Sequence, residues 1–207
     1  MSGGDPVAFG VLISGRGSNL EAILDFWADG GDGHPVASSR PAVVICNRPD
    51  APGIGHGRRH GIPVEVIDHR DFADRASFDQ AMLDVLEQHG VQWVVLAGFM
   101  RVLSETFLSR YRGRILNTHP SLLPAFPGRD GVGDALAAGV KITGCTVHLV
   151  ALEVDSGPIL AQAAVPVHDG DDVESLGARI RSAEHHLYPR IIADALAGRL
   201  ILEPGER

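Results

Sequence analysis

Apolar residues along the chain follow two rhythms. Val7–Ile13 (VAFGVLI) is a nearly unbroken apolar run closed by Ser14-Gly15, the pattern of a strand covered on both faces. Over residues 18–27 the rhythm changes: Leu20, Ile23, Leu24 and Trp27 recur at helical spacing. The alternation then repeats. A strand is predicted over 42–46, a short helix over 53–60 and a strand over 64–67. Next come a helix with Phe78, Met82, Val85 and His89 on one face and a strand over 91–96, ended by Ala97-Gly98. The Gly-rich stretch 29–34 (DGGDGH) reads as a plain surface connection. Strands alternating with helices predict an α/β fold built on an open, mostly parallel, doubly wound sheet. In such sheets ligands sit beyond the carboxyl ends of the strands, so Ser14-Gly15, Gly98 and Asn117 are expected to converge on one crevice.

The second half has a different texture. Ile115-Leu116 ends a buried strand, and ILNTHPSLLPAFPG continues with Asn117 and His119 two residues apart. Pro120, Pro124 and Pro127 stiffen the segment after His119 and rule out a regular helix there. A short helix or turn is predicted over 134–139. Alternating segments over 143–150 and 159–167 predict strands at the far side of the sheet, joined by the acidic turn ALEVDSGP. From Val173, the positions Leu176, Ile180, Ala183, Leu187 and Ile191 mark a long helix that Pro189 is expected to kink or break. No repeat or low-complexity linker divides the 207 residues, so a single domain is expected, with 6–116 as a phosphate-binding half and 117–207 as a catalytic half.

Composition narrows the partners. A net charge of −8 argues against nucleic acid as a ligand. No apolar run is long enough to span a bilayer and no leader pattern opens the chain, so no membrane association and a cytoplasmic location are expected. Cys46 and Cys145 lie in apolar, strand-like runs and are expected to be buried free thiols. No metal is expected, since neither an H-E-x-x-H nor a C-x-x-C spacing occurs.

Two patterns carry candidate chemistry. SGRGSNL joins the first strand to the first helix; Gly15 and Gly17 allow a tight turn, and Ser18 is placed to cap the helix. Free amides at that helix start would face an anion. Leu20 stands where a dinucleotide fingerprint needs glycine, and a Walker lysine is missing, so a monophosphate fits best; a bare strand-to-helix turn fits as well. The second pattern is Asn117, His119 and Asp155. An amide donor and an imidazolium both stabilise an oxyanion, and a carboxylate beside them would hold the imidazole or carry a proton, which is the requirement of acyl transfer. No G-x-S-x-G elbow appears, so direct attack by the acceptor is preferred to a covalent intermediate.

With VLISGRGSNLEAIL, VVLAGFMRVLS, ILNTHPSLLPAFPG, GCTVHLV, EVDSGPILAQ and EHHLYP in this order, the chain resembles the phosphoribosylglycinamide formyltransferases over nearly its whole length. The resemblance implies a Rossmann-like formyltransferase fold. It also implies transfer of a formyl group from 10-formyltetrahydrofolate to the amine of glycinamide ribonucleotide in purine biosynthesis, through a tetrahedral intermediate. Asn117 and His119 would polarise the formyl oxygen, and Asp155 would pair with His119. Gly17, Ser18 and Asn19 would hold the ribonucleotide phosphate and Glu184 its sugar, with Gly98, Met100 and Pro120 lining its channel. Arg101, Val102 and Leu103 would hold the pterin beside a folate loop of Val150, Ala151, Leu152 and Glu153. His148 would orient Asn117 or a water, or serve only as a satisfied core histidine. Homodimerisation is left open. Asp130 departs from the family, which usually has histidine there, and the added charge is expected either to raise the pKa of a neighbouring acid or to weaken binding of the folate glutamate tail. Methionyl-tRNA formyltransferase and formyltetrahydrofolate deformylase share the chemistry but usually carry an added domain, for which the sequence is expected to have no room. A non-catalytic nucleotide-binding module is the other reading that the fold would permit.

Overall fold

A computed structural model describes residues 6–200. The described residues form one sheet of strands β1 (Val7–Ile13), β2 (Ser39–Cys46), β3 (Val64–Val66), β4 (Trp93–Leu96), β5 (Ile115–His119), β6 (Ile142–Leu149) and β7 (Ile159–Pro166). Their order is β3-β2-β1-β4-β5-β6-β7. The first five are parallel, whereas β6 runs antiparallel to β5 and β7 antiparallel to β6. The helices are α1 (Ser18–Ala28), α2 (Ile54–Arg59), α3 (Arg75–Gln88), α4 (Glu105–Arg110), α5 (Gly131–Ala137) and α6 (Val173–Leu196). None is long and apolar enough to cross a membrane.

The continuous apolar runs follow from burial on two sides. Phe9, Val11 and Ile13 of β1 pack with Leu20, Ile23 and Leu24 of α1 and with Tyr188 and Ile192 of α6. Ala8 and Leu12, on the other face, pack with Phe78, Met82 and Leu86 of α3 and Phe107 of α4. After β1 the chain winds outward through β2 and β3, then returns to add β4 on the other side of β1. This reversal opens a crevice at the carboxyl ends of β1 and β4, where α/β sheets bind ligands. The Met100 N–H donates to Ser14 Oγ at 2.8 Å, drawing the two strand ends together. Tyr188 ties α6 to the middle of the sheet: its fully buried hydroxyl lies 3.0 Å from Leu96 O and 2.9 Å from Leu116 O, so α6 is pinned to β4 and β5.

Several expectations are corrected. Ser18 does not cap α1; Gly17 occupies the cap position at φ 75°, and no side chain caps that end. Pro189 does not break α6, which continues to Leu196, because Tyr188 and Ile192 on either side are fully buried and their packing carries the helix past the missing N–H. The 29–34 stretch is more than a connection: it contains a 3₁₀ turn (Gly31–Gly33), and Asp32 and His34 pair with Arg190 and Asp194 of α6. Helix α4 follows Ser104, which caps it, and was not anticipated. Both cysteines are free and buried, as expected.

Tyr188→Phe keeps the ring and removes the shared donor. It should lower the free energy of unfolding by about 1–2 kcal/mol in urea titrations, the usual cost of leaving buried carbonyls without a donor. An unchanged midpoint would show that the hydroxyl does not hold α6 to the strand ends.

Candidate active site

Asn117 and His119 stand at the end of β5, held between two partners. Asn117 is in register with Leu96 of parallel β4 and with His148 of antiparallel β6. The loop after His119 is tied down by two polar residues of the next strands. Thr146 Oγ1 donates to Ser121 O at 2.7 Å and accepts from the Leu123 N–H at 3.0 Å, while Gln162 Nε2 donates to Leu123 O at 2.8 Å. These contacts give GCTVHLV and ILAQ a local purpose: they shape the proline loop that carries Phe126 and Gly128 back over the site.

Asp155 reaches this centre from the β6–β7 turn, at φ 55°. Asx residues tolerate the left-handed region better than most. Its Oδ2 lies 3.3 Å from His119 Nδ1 and accepts the Gly128 N–H at 2.8 Å, and its side chain is 8% exposed. His119 Nε2 donates to Phe126 O at 2.8 Å. Both ring nitrogens of His119 thus face acceptor oxygens. A side chain at Gly131 would crowd this ring, since a Cβ would stand 3.0 Å from His119 Nε2.

His148 behaves differently. Its Nδ1 faces Leu149 O at 2.9 Å, which places the proton there and leaves Nε2 to accept from Asn117 Nδ2 at 3.2 Å. Burial lowers its pKa below the ordinary 6.5, favouring this neutral form. The bond orients the Asn117 amide and leaves its second N–H free to donate.

These groups line a cleft of about 520 Å³. Gly98, Met100, Arg101, Val102, Leu103, Pro120, Val150, Ala151, Leu152 and Glu153, all singled out from the sequence, line it too. Met100, Val102, Leu152 and Val154 are 74%, 56%, 67% and 58% exposed, an apolar rim of the kind that a flat aromatic ligand covers. Gly17, Ser18, Asn19 and Glu184 are not brought into this cleft lining; Glu184 is joined to it through Thr118, which does line it. Gly17 has no room for a side chain, since a Cβ would lie 2.7 Å from Gly53 Cα, and α1 opens with uncapped amides. Glu184 is 5% exposed; burial raises its pKa above the ordinary 4.5. Asp130 lies outside the cleft lining and has a structural task, accepting the Gly133 N–H at 3.0 Å as the N-cap of α5. Val154, in the same loop as Leu152 and Glu153, lines the cleft as well, whereas Arg48, Leu96, Phe99, Leu108, Thr118, Gly128 and Arg129 line it and were missed. Arg48 was findable, because it follows the carboxyl end of β2.

Residues 8–192 match the family described as formyl transferase. The chain belongs to this family. It is 40% identical over 193 residues to the phosphoribosylglycinamide formyltransferase of Bacillus subtilis, covering 91% of this chain and 94% of that protein. It is 44% identical over 192 residues to the trifunctional purine biosynthetic protein adenosine-3 of Gallus gallus; the match takes in 93% of the chain but only 19% of that longer protein. Among solved structures, glycinamide ribonucleotide transformylase 1 from Symbiobacterium toebii superposes with a TM-score of 0.92 at 45% identity, over 99% of this chain and 97% of that one. The formyl transferase fold read from the sequence is therefore the fold observed.

The lowered pKa of His148 has a consequence for stability. The unfolded chain binds this proton near pH 6.5 and the native protein resists it, so the contribution is complete above about pH 6.5 and is lost as pH falls toward the native value. The thermal midpoint should therefore fall more steeply between about pH 7.5 and 5.5 than that of His148→Gln, in which this slope is removed. Parallel slopes would show that His148 titrates alike in both states.

Proposed function

We propose that this chain transfers the formyl group of 10-formyltetrahydrofolate to the amine of glycinamide ribonucleotide. The observation that carries the reading is the assembly of Asn117, His119 and Asp155 at one strand end, beside an apolar-rimmed cleft and in front of an uncapped helix start. The ribonucleotide phosphate is held by the amides of Ser18 and Asn19 where Gly17 turns the chain, and the sugar by Glu184. Folate lies against Arg101, Val102 and Leu103 and the 150–154 loop, covering the exposed apolar rim.

The amine nitrogen forms a bond to the formyl carbon while the carbonyl oxygen takes the negative charge. The free N–H of Asn117 donates to that oxygen, and the imidazolium of His119, whose two N–H groups are held by Asp155 and Phe126 O, stabilises it by its charge rather than by a hydrogen bond. Collapse expels the folate N10, and the proton shed by the amine ends on N10. Asp155 passes that proton through water, its carboxylate held in place by the His119 ring and the Gly128 amide. His148 keeps Asn117 turned so that its nitrogen, not its oxygen, faces the developing charge.

Formyl transfer should be measured with glycinamide ribonucleotide present and then omitted. Turnover should require the ribonucleotide. Asn117→Ala should lose about 10²–10³ in kcat, as removal of one oxyanion donor does, and Asp155→Asn about 10²–10⁴ as a lost proton carrier. Turnover without ribonucleotide would mean hydrolysis of the formyl donor, and no turnover at all would leave a binding protein; either result overturns the reading.

A further inference from the structure

Strand β5 presents its last residues alternately to the two sides of the sheet. Asn117 and His119 meet His148, Phe126 and Asp155 on the chemical side. Thr118, between them, turns the other way, and its Oγ1 donates to Glu184 Oε1 on α6 at 3.1 Å. The second oxygen of Glu184 accepts from Asn19 Nδ2, in the first turn of α1, at 3.2 Å. Three elements thus meet on one carboxylate: the catalytic strand, the long helix and the helix whose amides open toward an anion.

Several features single out this junction. Glu184 is 5% exposed, and both of the donors that hold it are uncharged. A buried carboxylate held only by a hydroxyl and an amide retains capacity for further donors. Asn19 Oδ1 is also buried and has no hydrogen-bond partner among the described residues. Two sets of acceptor lone pairs are therefore gathered where only donors can satisfy them, and a ligand bearing vicinal hydroxyls supplies such donors. Of the three side chains, only Thr118 also lines the cleft.

We propose that Thr118 is a positioning residue for the ribonucleotide: its hydroxyl holds Glu184 in the orientation that takes the sugar hydroxyls, and so sets the substrate amine in register with Asn117 and His119 on either side of it in the chain. The proposal rests on the reading that Glu184 and the start of α1 hold the ribonucleotide. Its physical basis is the stiffness of β5. Asn117 is paired on both edges, and Thr118 and His119 continue the same strand in register with β6, so a ligand indexed to Thr118 is indexed to the oxyanion donors as well. Threonine suits the position because its branched Cβ favours the strand while its hydroxyl has a single proton to donate, here directed at Glu184.

Thr118→Val keeps the shape and the strand preference and deletes the donor. The KM for glycinamide ribonucleotide, and its Kd by calorimetry, should rise about tenfold, the effect of losing one hydrogen bond to a charged group. The KM for the formyl donor should stay within about twofold, kcat should fall as the amine loses its register, and Thr118→Ser should restore both ribonucleotide binding and kcat. The hydroxyl also favours the charged form of Glu184, whose other titratable neighbours are Arg181 and Tyr188 on α6, His119 on β5 and Cys145 on β6. The acid limb of kcat/KM for the ribonucleotide should accordingly move to higher pH in Thr118→Val. An unchanged KM in Thr118→Val, or a fall in kcat with both KM values raised and the thermal midpoint lowered, would overturn the positioning role. Glu184→Gln separates the two levels. If it raises the ribonucleotide Kd while Thr118→Val does not, only the role of Thr118 fails. If it leaves the Kd unchanged, the placement of the sugar at Glu184 fails too.

Discussion

Strand β5 is paired in parallel on one edge and antiparallel on the other, and the site depends on this seam. The parallel partner β4 ends beside it at Leu96, so both strand ends open on the same side of the sheet. The antiparallel partner β6 passes in the opposite direction and brings His148 level with Asn117. It then turns through the loop that carries Asp155. After β5 the chain passes through the proline loop and α5 before it re-enters the sheet. It re-enters antiparallel, so β6 and the turn after it supply the imidazole and the carboxylate beside the end of β5.

Buried ionisable groups at such a centre are costly unless each is held. Here each has named partners. Asp155 shares one oxygen between His119 and the Gly128 amide, and this contact also fixes the proline loop over the site. His148 spends its donor on Leu149 O and its acceptor on Asn117. Glu184 divides its oxygens between Thr118 and Asn19. The same bonds that offset burial orient the groups, so stability and chemistry draw on one set of contacts. Asp130, the departure from the family noted in the sequence, belongs to a different account: it caps α5, a local task for which Asp is among the best residues.

Much of this was legible in the chain. Strands buried on both faces must be apolar throughout, so β1, β2 and β4 announced themselves. The spacing of Asn117 and His119 at a strand end, with an acid in a glycine turn, named the candidate chemistry, and the ordered motifs named the family. Local rules failed where packing decided. Gly17 rather than Ser18 ends the loop, because the chain passes Gly53 too closely for a side chain and turns through a left-handed conformation. Pro189 sits within a continuous helix because its neighbours are anchored in the core. Helix α4 is only six residues long and too short to show a period.

The sequence by itself determined the alternation of strands and helices, the strand-end position of Asn117 and His119 and the family to which the chain belongs. Each of these is written in residues that are neighbours along the chain or repeat with a fixed period. Only the tertiary structure decided that Asp155 reaches His119, that His148 turns Asn117, and that Thr118 reaches Glu184 across 66 residues. The physical reason is that a hydrogen bond between distant segments depends on strand order and register, and these follow from how two apolar faces close around the whole sheet.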